Sequence, residues 1–163
     1  MTDDATISSE ETLKPVPGGS IVVGHDGSEG ADAALATALE LASQLQSPVY
    51  IIRAWSVTTA PRAADWAFGY VSSSDESERA VLDELRKSVR SFAQRFPDVP
   101  VACLAVQGNP AESLIEVSRT ARMLVVGSRG LGGLAEMLLG SVSDQVIRRA
   151  YCPVLVTRAG PPR

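Results

Sequence analysis

Glycines near the end of the chain stand where a phosphate could be held. Gly127 and Gly130 are separated by two residues, nine residues run from Leu131 to Leu139, and Gly140-Ser141 follows. The residues ahead of Gly127, Met123-Leu-Val-Val, read as a short buried strand. Those after Gly140, from Ser141 through Val142, Ser143 and Asp144 to Ile147, read as the start of an amphipathic helix. Glycine lets a backbone approach a ligand closely, and a helix N-terminus presents free N–H groups to anions. A second strand-to-helix turn, His25-Asp26-Gly27-Ser28, follows Ile21-Val-Val-Gly24. Each of these residues also has a plain structural use. The glycines serve turns, Ser28 and Ser141 serve as N-caps, and Asp26 serves as a turn former ahead of Gly27. His25, the only histidine, pairs with Asp26 on paper. Neighbours at a strand end point in different directions, and no nucleophile accompanies them, so His25 reads as a turn residue.

Strands and helices alternate along the chain and would position these turns. After the strand at 20–24, a helix carries Ala34, Leu35, Ala38, Leu41, Ala42 and Leu45 on one face. Residues 49–55 read as a strand. The segment 56–74, with Pro61, Trp66 and Gly69, is long for a loop and reads as functional, mobile or partly helical. Residues 75–96 form a second helix with Val81, Leu85, Val89, Phe92 and Phe96 inward. A strand at 100–106, a Gly108-Asn109-Pro110 turn and a helix at 111–119 follow, Pro110 suiting the first helical position. A strand at 123–126, a helix at 141–150 and a last strand at 153–157 complete the set. The strands are short and rich in Val and Ile, the mark of a parallel sheet covered on both faces. The fold class is a doubly wound α/β sandwich, one five-stranded parallel sheet between four helices. Ligands in such sheets bind at the strands' C-terminal ends, near the switch in strand order, so the turns at 25–28 and 127–130 are expected to line one crevice.

At 163 residues the chain suits one domain, read here as residues 19–158 between a disordered tail at 1–18 and a short tail at 159–163. The net charge of −4 argues against a general nucleic-acid or anionic-membrane binder. Cys103 and Cys152 read as small buried hydrophobes, with no disulfide framework or zinc site. No run is long enough to span a membrane and the acidic N-terminus lacks a signal region, so a cytoplasmic protein is expected. Arg148-Arg149 reads as a solvated helix face near a C-terminus that favours cations.

No glycine is followed by Lys-Ser/Thr, so a Walker A loop is absent. Gly130-Leu-Gly132-Gly133-Leu-Ala135 matches the dinucleotide fingerprint, but in the fourth βα unit and without a following acidic strand end, so it reads as a decoy. The longer pattern, Gly127-Ser-Arg-Gly130, nine residues, then Gly140-Ser141-Val142-Ser143, resembles the ATP-binding branch of the universal stress protein family. The resemblance takes in the segment from Ile21 to Ser28 and Tyr151-Cys-Pro153-Val-Leu-Val156, and so spans about residues 20–157.

That resemblance implies an adenine nucleotide alpha hydrolase-like sheet and a homodimer paired through the last strand, Pro153 to Val156, whose short apolar edge is otherwise a liability. It places Asp26 beside adenine and ribose, and Ala54 at an adenine contact made by backbone groups. Gly127 and Gly130 would approach ribose and phosphates, with Arg129 adding charge. Gly140, Ser141, Val142 and Ser143 would cradle the phosphates. ATP would bring Mg²⁺ or Mn²⁺, held mainly by the phosphates and water. The implied function is a regulatory stress-response module whose nucleotide occupancy is read by an unknown protein partner. The alternatives are a slow ATPase or autophosphorylating enzyme, for which no general base, loop lysine or arginine finger is evident, and a dimeric scaffold without nucleotide. Gly127→Ala and Gly130→Asp are expected to abolish nucleotide binding in a folded dimer, and Leu155→Lys to weaken dimerisation.

Overall fold

A computed structural model describes residues 15–61, 73–131 and 138–160. The five strands are β1 (Ile21–Gly24), β2 (Val49–Trp55), β3 (Val101–Gln107), β4 (Met123–Gly127) and β5 (Val154–Thr157). The four helices are α1 (Glu29–Leu45), α2 (Ser74–Ala93), α3 (Pro110–Val117) and α4 (Ser141–Arg149). All strand pairs are parallel, in the order β3-β2-β1-β4-β5. The order reverses at β1, which has β2 on one side and β4 on the other, the doubly wound arrangement expected from the sequence.

Successive side chains on a strand face opposite ways, and here both ways are apolar. Ile21, Val23, Val49, Ile51 and Val125 pack under α1 and α2 with Leu35, Leu39 and Leu85. Val22, Ile52, Leu124 and Val126 pack on the other face with Leu114, Val117 and Val146 of α3 and α4. Burying each such side chain is worth about 1.5–3 kcal/mol, so the sheet is held from both faces. Val16, within the stretch read as a tail, is buried in the second cluster.

Helix starts follow their local chemistry. Ser28 caps α1, its hydroxyl accepting from Ala31 N–H at 3.2 Å. Ser73 and Glu76 form a reciprocal capping box at α2, and Asn109 caps α3 ahead of Pro110. Some expectations are corrected. Leu45, expected inward, is 37% exposed, because α1 ends there in a left-handed Gln46. Helix α2 stops at Ala93, short of Phe96. Both cysteines are half-buried rather than fully enclosed, Cys103 on the outer strand β3 and Cys152 just ahead of the other edge. Trp55 is buried at the end of β2. Trp66, the interior of the 56–74 segment, most of the dinucleotide-like match, residues 1–14 and 161–163 lie outside the described residues. Among the described residues no helix is long and apolar enough to cross a membrane.

Candidate functional site

At the C-terminal ends of β1 and β4, where the strand order reverses, the chain leaves a cavity of about 350 Å³. This is the switch-point crevice of a doubly wound sheet. Asp26, Ala54, Gly127, Arg129, Gly130, Gly140, Ser141, Val142 and Ser143 all line it, so the structure brings together every candidate site residue named from the sequence. Ile52, Leu114, Pro110 and Val126 give it apolar lining. Asp26 and Arg129 are the formally charged groups among its described lining residues.

One wall is made of backbone. After β4, Ser128 N–H donates to the Thr157 carbonyl at 2.7 Å, and Gly140 N–H donates to the Ser128 carbonyl at 2.6 Å. This ties both ends of the glycine segment together. Gly140, not Ser141, is the N-cap of α4, and no side chain caps that helix. The expected capping role of Ser141 is therefore corrected: it is the first helical residue. The orphan N–H groups of the first turn, which includes Ser141, Val142 and Ser143, stand at the cavity without a side-chain acceptor. Ser143 is buried, its hydroxyl within reach of the carbonyls of Gly140 (3.0 Å) and Ser128 (3.2 Å). Its side chain braces the loop.

The glycines divide by what surrounds them. A Cβ on Gly127 would stand 2.7 Å from the carbonyl carbon and oxygen of Gly30, and one on Gly30 would meet the Arg129 carbonyl oxygen at 2.5 Å. Gly127 is thus required by the close crossing of α1 over the end of β4. A Cβ on Gly130 would meet Asp26 Oδ2 at 2.5 Å. Around Gly140 the nearest atoms would be 3.5 Å away, an ordinary contact, and its φ of −73° suits any residue. Among the described residues nothing demands glycine at 140.

The other wall is made of side chains. Asp26 Oδ1 accepts from Ser28 N–H at 3.0 Å, the turn role anticipated as the plain reading. Its Oδ2 accepts from Leu131 N–H at 3.1 Å, which clasps the turn to the glycine loop. His25 is buried, and its ring engages Asp32 through Nε2 (3.0 Å) and Arg53 through Nδ1 (2.8 Å). Burial pushes the imidazole pKa below its usual 6.5, outweighing the hydrogen bond to Asp32, which raises it. Burial also lowers Arg53, against the pull of Glu84. Sequence reading missed this network, since Asp32 and Arg53 lie 7 and 28 residues from His25. An inward arginine in an otherwise apolar strand was the available signal.

Among the described residues no group of three or more His, Cys, Asp or Glu could hold a metal ion. Arg148 lies on the exposed face of α4, paired with Asp144 at 3.1 Å.

The sequence model of the universal stress protein family matches residues 19–158. Universal stress protein Rv2005c of Mycobacterium tuberculosis is 36% identical over 155 residues, covering 94% of this chain and 50% of the relative. The chain spans about half the length of the curated relatives it matches. A crystal structure of a universal stress protein in complex with cAMP is 28% identical, with a TM-score of 0.64 over 86% of this chain and 97% of that one. The universal stress protein of Archaeoglobus fulgidus in complex with dAMP, 19% identical with a TM-score of 0.54 over 89% of this chain and 98% of that one, shares the fold.

Proposed function

The chain belongs to the universal stress protein family, and from that premise we propose that it binds an adenine nucleotide in the switch-point cavity. Gly140 carries the reading: it sits uncapped at the start of α4, where packing among the described residues would admit a side chain. Ser, Thr, Asp or Asn normally satisfies a helix there. A ligand phosphate lying against the first turn explains both the glycine and the missing cap. A cavity of about 350 Å³ lined in part by Ile52, Leu114 and Val126 suits a nucleobase and ribose. A relative with 28% identity carries cAMP.

Adenine would lie against the apolar lining beside Ala54, the ribose near Asp26 and Gly127, and the phosphates along Gly130, Arg129 and the first turn of α4. ATP is the ligand proposed. Arg129 and Asp26 nearly cancel, so a triphosphate needs an accompanying Mg²⁺ or Mn²⁺, which would screen the phosphates with water as its other partner. The protein residues bind and orient, and the nucleotide acts as a regulatory ligand read by a protein partner. Calorimetric titration of nucleotide-stripped protein tests this. ATP is expected to bind with Mg²⁺ and far more weakly without it, and AMP and cAMP to bind with or without it. Failure of all three to bind overturns the reading.

We further propose a homodimer through the β5 edge. Pro153 and Thr157 turn their carbonyls to β4 and Ser128, so by alternation Val154 and Val156 turn their backbone groups to the free edge. Leu155 packs into the α1 and α2 layer, so Leu155→Lys would damage the core rather than report on the edge. Val156→Pro removes an outward donor and is expected to weaken dimerisation at least about tenfold by sedimentation, as loss of one edge bond of about 1–1.5 kcal/mol implies. An unchanged dimer would place the interface elsewhere.

A further inference from the structure

His25 differs from the charged groups at the cavity in being enclosed: its side chain is 0% exposed. Five contacts fix it. Its backbone N–H donates to the Ile52 carbonyl at 2.9 Å. Its carbonyl accepts from Arg53 Nε at 3.2 Å. Its Nδ1 faces two donors, Arg53 Nη2 at 2.8 Å and Gly27 N–H at 3.3 Å. Its Nε2 faces Asp32 Oδ1 at 3.0 Å.

These contacts settle the tautomer. An arginine has donors only, and so does a backbone amide nitrogen, so Nδ1 must be the unprotonated acceptor. The single ring proton then sits on Nε2 and is donated to Asp32. Arg53 is itself tethered to α2, through Ser88 Oγ at 3.4 Å and Glu84 at 4.0 Å. The line of contacts therefore runs from α2 through Arg53 and His25 to the Gly27 amide. Beyond it the Asp26 carboxylate reaches the glycine loop at Leu131.

We infer that His25 is the positioning residue of the nucleotide site: as a neutral Nε2–H imidazole it holds the Gly27 amide through Nδ1, and so fixes where Asp26 presents its carboxylate. The inference rests on the nucleotide reading above. Asp26 uses two of its roughly four acceptor positions on the chain itself, leaving the others for ligand hydroxyls. A carboxylate free to swing would lose that register, because Gly27, at φ +88°, gives the turn little stiffness of its own.

Two substitutions separate the two ring nitrogens. His25→Asn places an amide oxygen where Nδ1 was, keeping the acceptor for Gly27 and Arg53 and giving up Asp32. His25→Gln reaches Asp32 and gives up the acceptor. Calorimetry with Mg²⁺-ATP, AMP and cAMP on wild type and both variants is expected to show about tenfold weaker binding for His25→Gln and at most about threefold for His25→Asn, tenfold being roughly the worth of one buried hydrogen bond. Both variants are checked for folding by urea titration. Because His25 is the sole histidine, nitrogen-15 NMR of its ring needs no assignment, and it should show the neutral Nε2–H form and a shift on adding nucleotide. Equal affinity of His25→Gln and wild type, or an Nδ1–H tautomer, overturns the positioning role while leaving the nucleotide site standing. Wild type that binds none of the three nucleotides overturns both. Should His25→Gln fail to fold, the tautomer and its response to nucleotide decide alone.

Discussion

The two walls of the cavity are built by opposite means. The β4 wall is backbone: glycines, carbonyls and the uncapped N–H groups of α4, closed by bonds such as Gly140 N–H to the Ser128 carbonyl. The β1 wall relies on side chains: His25 is held by Asp32 and Arg53, and the Asp26 carboxylate accepts from the Ser28 and Leu131 amides. A backbone wall is fixed by the fold and stays so without ligand. A side-chain wall carries ionisable groups and responds to its surroundings. Within the backbone wall there is a second contrast, between glycines the chain needs for itself and the one that it does not.

The largest expected effect breaks that second contrast. Gly127→Ala puts a methyl 2.7 Å from the Gly30 backbone, which cannot rotate away. The expected result is a loss of about 3 kcal/mol in stability by urea unfolding. This corrects the expectation that Gly127→Ala would leave an undisturbed fold and serve as a pure binding probe. Gly130→Asp is compromised for a different reason: its side chain meets the tip of the Asp26 side chain and would bring a second carboxylate against it. Full stability of Gly127→Ala would mean that α1 shifts freely over β4, and the packing role assigned to this glycine would fall.

Gly140→Asp sharpens the contrast. Aspartate is a favoured N-cap and complements the helix dipole, so stability should hold or rise by about 0.5–1 kcal/mol. The same carboxylate would stand where a phosphate is proposed. Nucleotide affinity should fall at least about thirtyfold, or 2 kcal/mol. A variant that binds as wild type does would show that α4 takes no part in phosphate recognition.

How much could be read beforehand follows the same division. The backbone wall was legible because its parts are close in sequence: Gly127, Gly130 and Gly140 flank a single strand–loop–helix unit, and the spacing is itself the signal. The sheet was legible because runs such as Ile21-Val-Val alternate with helical stripes such as Ala34, Leu35, Ala38 and Ala42, all of them buried. The side-chain wall was not. His25 meets Arg53 only because β1 and β2 pair in register, Gly24 opposite Ile52, and no local pattern encodes that meeting. Capping was half legible. Ser28 and Pro110 behaved as their types suggest, whereas the α4 cap fell to a glycine that intrinsic preference ranks below serine.

The smallest expected effect tests whether the side-chain wall senses its medium. In the folded protein the His25 pKa lies below its usual 6.5, chiefly through burial. As pH falls through 6.5 the unfolded chain takes up a proton on this ring before the native chain does. Stability from this group is therefore full above about 6.5 and declines below it, until the lowered native value is reached. Protonated Nδ1 would confront the Arg53 guanidinium and the Gly27 N–H, while Asp32 and Asp26 favour the charge, so these carboxylates soften the decline. Wild type alone cannot isolate the histidine from the rest of the chain. The difference between wild type and His25→Asn can, because asparagine keeps the acceptor and does not titrate. Between neutral pH and the onset of carboxylate titration, wild type should lose more stability than His25→Asn by urea unfolding. Parallel slopes would mean that His25 accepts its second proton without cost, and the β1 wall would then be as indifferent to pH as the glycine wall opposite.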